Sequence, residues 1–137
     1  MGSQQLSFCG IFMCMSFLDK NKQSKIVEFV KFVKNELGLK KTPTIKLLNG
    51  RGDLKTTAHY NYSNPEKIIK VNAKNRHIVD VMRSIAHEMV HHKQWEDGKL
   101  DGPKPPDIGG EIEDEANAKA GQFIKLFSKE DSTIYDE

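Results

Sequence analysis

Residues 87–91 read His-Glu-Met-Val-His. Side chains four apart on an α-helix lie one above the other, so His87 and His91 can turn both imidazoles toward a single ion. Zinc accepts such nitrogens at about 2.0–2.1 Å. Glu88 projects beside the pair, where a carboxylate can take a proton from water and return it to a leaving amine. The chemistry this spacing supports is hydrolysis by metal-activated water, with zinc lowering the pKa of water toward about 7. The competing reading is a hydrogen-bonded core, because two histidines on an otherwise apolar helix are costly to bury unpaired.

The elements that must position these groups can be read from periodicity. A helix over residues 75–94, with Asn75 as N-cap, is apolar on most sides through Ile78, Val79, Val81, Met82, Ile85, Ala86, Met89 and Val90, and is therefore central and buried. A later helix over residues 111–128 turns Ile112, Ala116, Ala120, Phe123, Ile124 and Phe127 inward. Glu113 shares the stripe of Ala116, Asn117, Ala120 and Ile124, so its carboxylate points toward the core. An inward Glu opposite two His is explained more readily as a third metal ligand than as an unpaired buried charge. Glu111, in the same first turn, is the alternative. Asp114 and Glu115 fall on solvated faces. Asn117, one turn beyond Glu113, can accept a hydrogen bond from the ring nitrogen a ligand histidine does not use, or serve merely as a polar helix residue.

Earlier in the chain, Ile26, Phe29, Val30, Val33 and Leu37 define an amphipathic helix over residues 21–37, closed by Gly38 in a left-handed cap. Three strands follow, at residues 44–48, 57–62 and 67–72, separated by turn chemistry at Asn49-Gly50 and Ser63-Asn64-Pro65. Residues 97–110 are too rich in Gly, Pro and Asp for helix or interior strand and form a long loop. The expected architecture is α+β: a backing helix, a small three-stranded sheet, the buried helix with the histidines, and a C-terminal glutamate helix. The domain is expected to span residues 20–130, after a disordered or cloning-derived extension at 1–19 and before a tail at 131–137.

The chain has 137 residues, of which 37% are hydrophobic and 29% charged, which excludes collagen, coiled coil, disulfide scaffold and a disordered chain and leaves room for one core. Its net charge of +2 is too small to imply nucleic acid. That value averages two unlike halves: residues 20–74 carry 13 basic and 4 acidic groups, residues 96–137 carry 5 and 12. The apolar run at residues 6–18 is shorter than the roughly 20 residues a membrane span needs, and no basic residue precedes Lys20 as a signal peptide would require. A cytoplasmic location is expected over secretion, with Cys9 and Cys14 reduced and no membrane partner.

His87-Glu88-Met89-Val90-His91, followed by Glu113-Asp114-Glu115-Ala116-Asn117, resembles the gluzincin metallopeptidases. The Glu-x-x-Ala-Asn wording is similar to the ImmA/IrrE family, and the short element order resembles the minigluzincins. The resemblance implies a zinc metallopeptidase in which His87, His91 and Glu113 bind Zn²⁺, Glu88 is the general base, and Asn117 supports a ligand histidine where many gluzincins have Asp. It also implies a peptide or protein substrate paired to the edge of the sheet, at residues 67–72.

Two other functions compete: a catalytically silent zinc-binding domain that holds a partner, and a SprT-like peptidase acting on DNA-bound proteins through the basic half. An efficient peptidase needs an oxyanion stabiliser, for which His59, Tyr60, Tyr62 and Tyr135 are candidates. His92 is turned about 100° from His91 and is expected at the surface or supporting a ligand. Trp95 is expected in the core, Arg51-Gly52-Asp53 in a turn, and Asn61-Tyr62-Ser63 matters as a glycosylation sequon only on export. Cys9 or Cys14 could cap the zinc as an inhibitory thiolate.

Overall fold

The structure, a computed structural model, describes residues 5–8, 11–14, 18–50, 58–61, 67–100 and 110–136, the first two stretches as backbone alone. Helix α1, Lys20–Leu37, starts where the Asp19 carboxylate accepts the Lys22 N–H at 2.8 Å. It stops at Gly38, whose φ of 65° and ψ of 43° are left-handed. The Gly38 and Leu39 N–H groups return to the Lys34 carbonyl, and Leu39 is buried, as a helix stop with a hydrophobic contact requires.

Strands β3 (Thr44–Leu48), β4 (Ala58–Asn61) and β5 (Ile68–Asn72) form a mixed sheet: β5 lies between β3, to which it is parallel, and β4, to which it is antiparallel. Two further strands, β1 (Gln5–Phe8) and β2 (Ile11–Cys14), pair with each other and add to the free side of β3. They come from the segment expected to precede the domain. The expectation that residues 67–72 form an edge is corrected here: β5 is interior, and β4 ends the sheet on that side. Sequence order does not reveal this, because a strand's neighbours are set by the crossover that follows it and not by its own residues.

Helix α2, Ile78–Glu96, packs against α1, β4, β5 and α3 (Gly110–Glu130), so it is the central element. Its N-cap is His77, whose Nδ1 accepts the Val79 N–H at 3.0 Å, and not Asn75, which takes a left-handed φ of 57° in the preceding turn. The turn is tightened by Asn72, whose side-chain oxygen accepts from Gly50 and Lys74, and by Arg76, which donates to the Asn72 carbonyl and to Ser84. Helix geometry therefore begins three residues late.

The core lies between the sheet and the helices. Phe29 of α1 is fully buried and meets Phe127 of α3 edge-on at 5.3 Å, and Phe32 extends the cluster to Phe123. A 3₁₀ turn, Ser132–Tyr135, seats Ile134 in the same core, within residues expected to form a tail. Phe29→Ala should cost about 3–5 kcal/mol of stability, measurable by denaturant unfolding; a loss below about 1 kcal/mol would mean this cluster is not tightly packed. Among the described residues no helix is long and apolar enough to cross a membrane.

Candidate metal centre

His87 and His91 lie one turn apart on α2, and Glu113 stands in the first turn of α3. The contact between these two helices brings the three side chains together. Glu113 Oε1 is 3.1 Å from His87 Nε2, Glu113 Oε2 is 3.0 Å from His91 Nε2, and the two histidine Nε2 atoms are 3.2 Å apart. A tetrahedral ion with bonds of about 2.0–2.1 Å would set its ligand atoms about 3.3 Å apart, so these spacings are those of three corners of such a site. Two ring nitrogens and a carboxylate this close need positive charge among them, supplied by protons or by a metal ion. His87, His91 and Glu113 can hold a metal ion. Glu111 is exposed and lies outside the group.

Glu88 is buried, with 8% of its surface accessible, and among the described residues no group hydrogen-bonds its carboxylate. Burial, and secondarily the charge of Glu113, push its pKa up to about 8. His87 is shifted down, first by burial and then by His91, against the opposing pull of Glu113 and a hydrogen bond from the ring to Asn117. Asn117 thus lies near His87 from an otherwise exposed position on α3.

The raised Glu88 pKa has a consequence for the metal-free protein. A carboxyl whose folded pKa lies above its unfolded value of 4.5 stabilises the fold fully below that value and loses the contribution as pH rises through about 8. Metal-free Glu88→Gln, which cannot ionise, should therefore match the wild type near pH 4 and exceed it near pH 9 by on the order of 5 kcal/mol. Denaturant unfolding at the two pH values tests this; a gap independent of pH would show that Glu88 is well solvated.

Other side chains differ from expectation. His92 is buried, not at the surface: its Nε2 donates to the Lys41 carbonyl at 2.8 Å, and its Nδ1 accepts from the Tyr60 hydroxyl at 2.7 Å. The nearby Glu96 carboxylate, 3.2 Å from His92, accepts the Lys40 and Lys41 N–H groups, so the chain entering β3 is tied to the end of α2. Burial lowers the His92 pKa, consistent with a neutral ring in this role. Tyr60 is thereby engaged in the interior. His59 and Tyr135 are exposed, and Tyr62 lies outside the described residues. Trp95 packs partly against the core with the Lys67 ammonium 4.5 Å above its ring.

Glu115 is half-buried, not freely solvated. It accepts from Gln94 and pairs with Lys119, which together hold its carboxyl below the ordinary range. Gln94 is the residue that sequence periodicity misses: buried on α2, it reaches His91 Nδ1 at 2.7 Å and both Ile112 and Glu115 of α3. Its only signal in the sequence is a spacing of three from His91, which any helix residue at that distance shares. Asp114 is exposed as expected. Cys9, the Arg51-Gly52-Asp53 turn, the last two residues of the sequon and residues 101–109 of the loop lie outside the described residues, as does the Cys14 side chain.

No protein-family model, curated protein or solved structure matches the chain.

Proposed function

We propose that the protein is a zinc-dependent endopeptidase that hydrolyses peptide bonds, with His87, His91 and Glu113 as ligands and Glu88 as general base. The observation that carries this reading is Glu88: a largely buried side chain whose carboxylate accepts no hydrogen bond among the described residues, beside three converging side chains that can hold a metal. A fold does not keep such a group for stability, since leaving a charge buried and unpaired is unfavourable. It is suited to a proton that arrives with water and leaves with an amine.

A zinc ion in this centre supplies Lewis acidity, which activates water at neutral pH and polarises a carbonyl. The residues do the rest. His87 and His91 present Nε2 from one face of α2, and Glu113 adds a carboxylate oxygen from α3. Glu88 accepts the proton of the attacking water and delivers it to the departing nitrogen. Asn117, near the His87 ring, would accept a hydrogen bond from the ring nitrogen that does not face the metal. A purely structural zinc site fills four positions with protein ligands; among the described residues this group has three, which suits a site that must admit water and a peptide carbonyl.

The test is elemental analysis of the purified protein together with cleavage of an unfolded protein such as casein, before and after chelation. One zinc per chain is expected, with cleavage lost on chelation and restored by zinc. Absence of stoichiometric metal, or cleavage indifferent to the chelator, would overturn the proposal, and stoichiometric zinc without cleavage would favour the silent binding domain.

A further inference from the structure

Gln94 follows His91 by three residues on α2, and only 1% of its surface is accessible. Its amide nitrogen donates to the Ile112 carbonyl at 3.0 Å and to Glu115 Oε1 at 2.8 Å, while its amide oxygen lies 2.7 Å from His91 Nδ1. The chemistry of its partners fixes which way this amide points. A backbone carbonyl and a carboxylate accept hydrogen bonds and do not donate them, so the NH₂ group must face α3 and the oxygen must face His91. His91 Nδ1 must then carry a hydrogen, and its lone pair remains on Nε2, the atom that lies 3.0 Å from Glu113 and 3.2 Å from His87.

We propose that Gln94 is a positioning residue for the metal centre: one buried amide holds His91 in the tautomer that ligates through Nε2 and, from its other end, seats the first turn of α3 so that Glu113 faces the histidines. This rests on the metal centre of the proposed function and adds a determinant of its assembly. Ile112 and Glu115 flank Glu113 on either side in sequence, so the amide grips the glutamate helix at the residues that bracket the ligand. The two helices that share the ligands are thereby joined through a group that also selects the tautomer of one of them. Outer partners of this kind commonly govern ligand orientation and metal affinity.

The experiment measures zinc affinity by chelator competition on the full chain, and the His91 ring N–H by NMR of the metal-free protein. Gln94→Leu keeps a similar volume and removes all three hydrogen bonds. It should weaken zinc binding about 10–100-fold and abolish the slowly exchanging His91 Nδ1–H signal. Gln94→Glu retains an acceptor for His91 but sets a carboxylate against Glu115. Adding Glu115→Gln restores a donor to that contact, and the double variant should recover most of the lost affinity together with the Nδ1–H signal. Wild-type affinity in Gln94→Leu, or an Nδ1–H signal that survives it, would overturn the inference. Failure of the double variant to improve on Gln94→Glu would do the same, leaving Gln94 a packing residue. A wild type that takes up no zinc would instead remove the proposed function, and the Nδ1–H comparison would still decide whether Gln94 holds the ring.

Discussion

Under the proposed function, Glu88→Gln is expected to bind zinc as the wild type does and to lose peptide cleavage by about 10²–10⁴-fold, the range that a positioned general base contributes. The substitution preserves shape and removes the proton acceptor. Because Glu88 is not part of the converging group of His87, His91 and Glu113, metal content should be unchanged, and elemental analysis alongside a cleavage assay separates the two effects. Loss of zinc in the variant would make Glu88 a ligand; unchanged cleavage would take it out of the reaction. The same variant should be the more stable one in metal-free form at alkaline pH, because a carboxylate pushed up to about 8 by burial is relieved when it cannot ionise. An activity loss with a stability gain is the signature of a group kept for chemistry at the expense of the fold.

The second large effect concerns the glutamate helix. Under the proposed function, Glu113→Ala should weaken zinc binding by more than the about 10–100-fold typical of an outer partner, because it removes the carboxylate that contacts both histidines. Glu111→Ala should leave affinity within about twofold, as an exposed surface change does. Chelator competition on both variants provides the comparison. Equal losses would mean that the first turn of α3 acts through its overall charge, and an intact Glu113→Ala site would show that the helix supplies no ligand.

Much of this centre is legible in residue order because helix geometry is local. A spacing of four places His87 above His91 whatever the tertiary context, and the stripe of Glu113 with Ala116 and Ala120 orients the acid by the same 3.6-residue period. Gly38 marks the end of α1 for an equally local reason, since a left-handed cap favours a residue without a Cβ. The misreadings lie mostly where distant groups meet. Asn75 looks like a cap, yet His77 caps α2, and the turn before it is held by Asn72 and Arg76 and tied to Gly50. His92 falls off the ligand face and reads as a surface group or a support for a ligand. It is buried because Tyr60, from an edge strand 32 residues away, and the Lys41 carbonyl converge on it.

What residue order determines by itself is the set of groups and the faces they occupy: two imidazoles and a carboxylate on one helix, a second carboxylate on the inner stripe of another, and an α+β order of elements. It does so because periodicity and turn chemistry act over a few residues. Which distant groups meet is decided only by tertiary packing. The contact of α2 with α3 brings Glu113 within 3.1 Å of the histidines and gives the Gln94 amide its partners Ile112 and Glu115, while strand pairing with β3 and β4 makes β5 interior and packing around α2 buries Glu88. The physical reason is that burial and hydrogen bonding between separate elements depend on how those elements dock, and no local spacing records the partner on the other side of the interface.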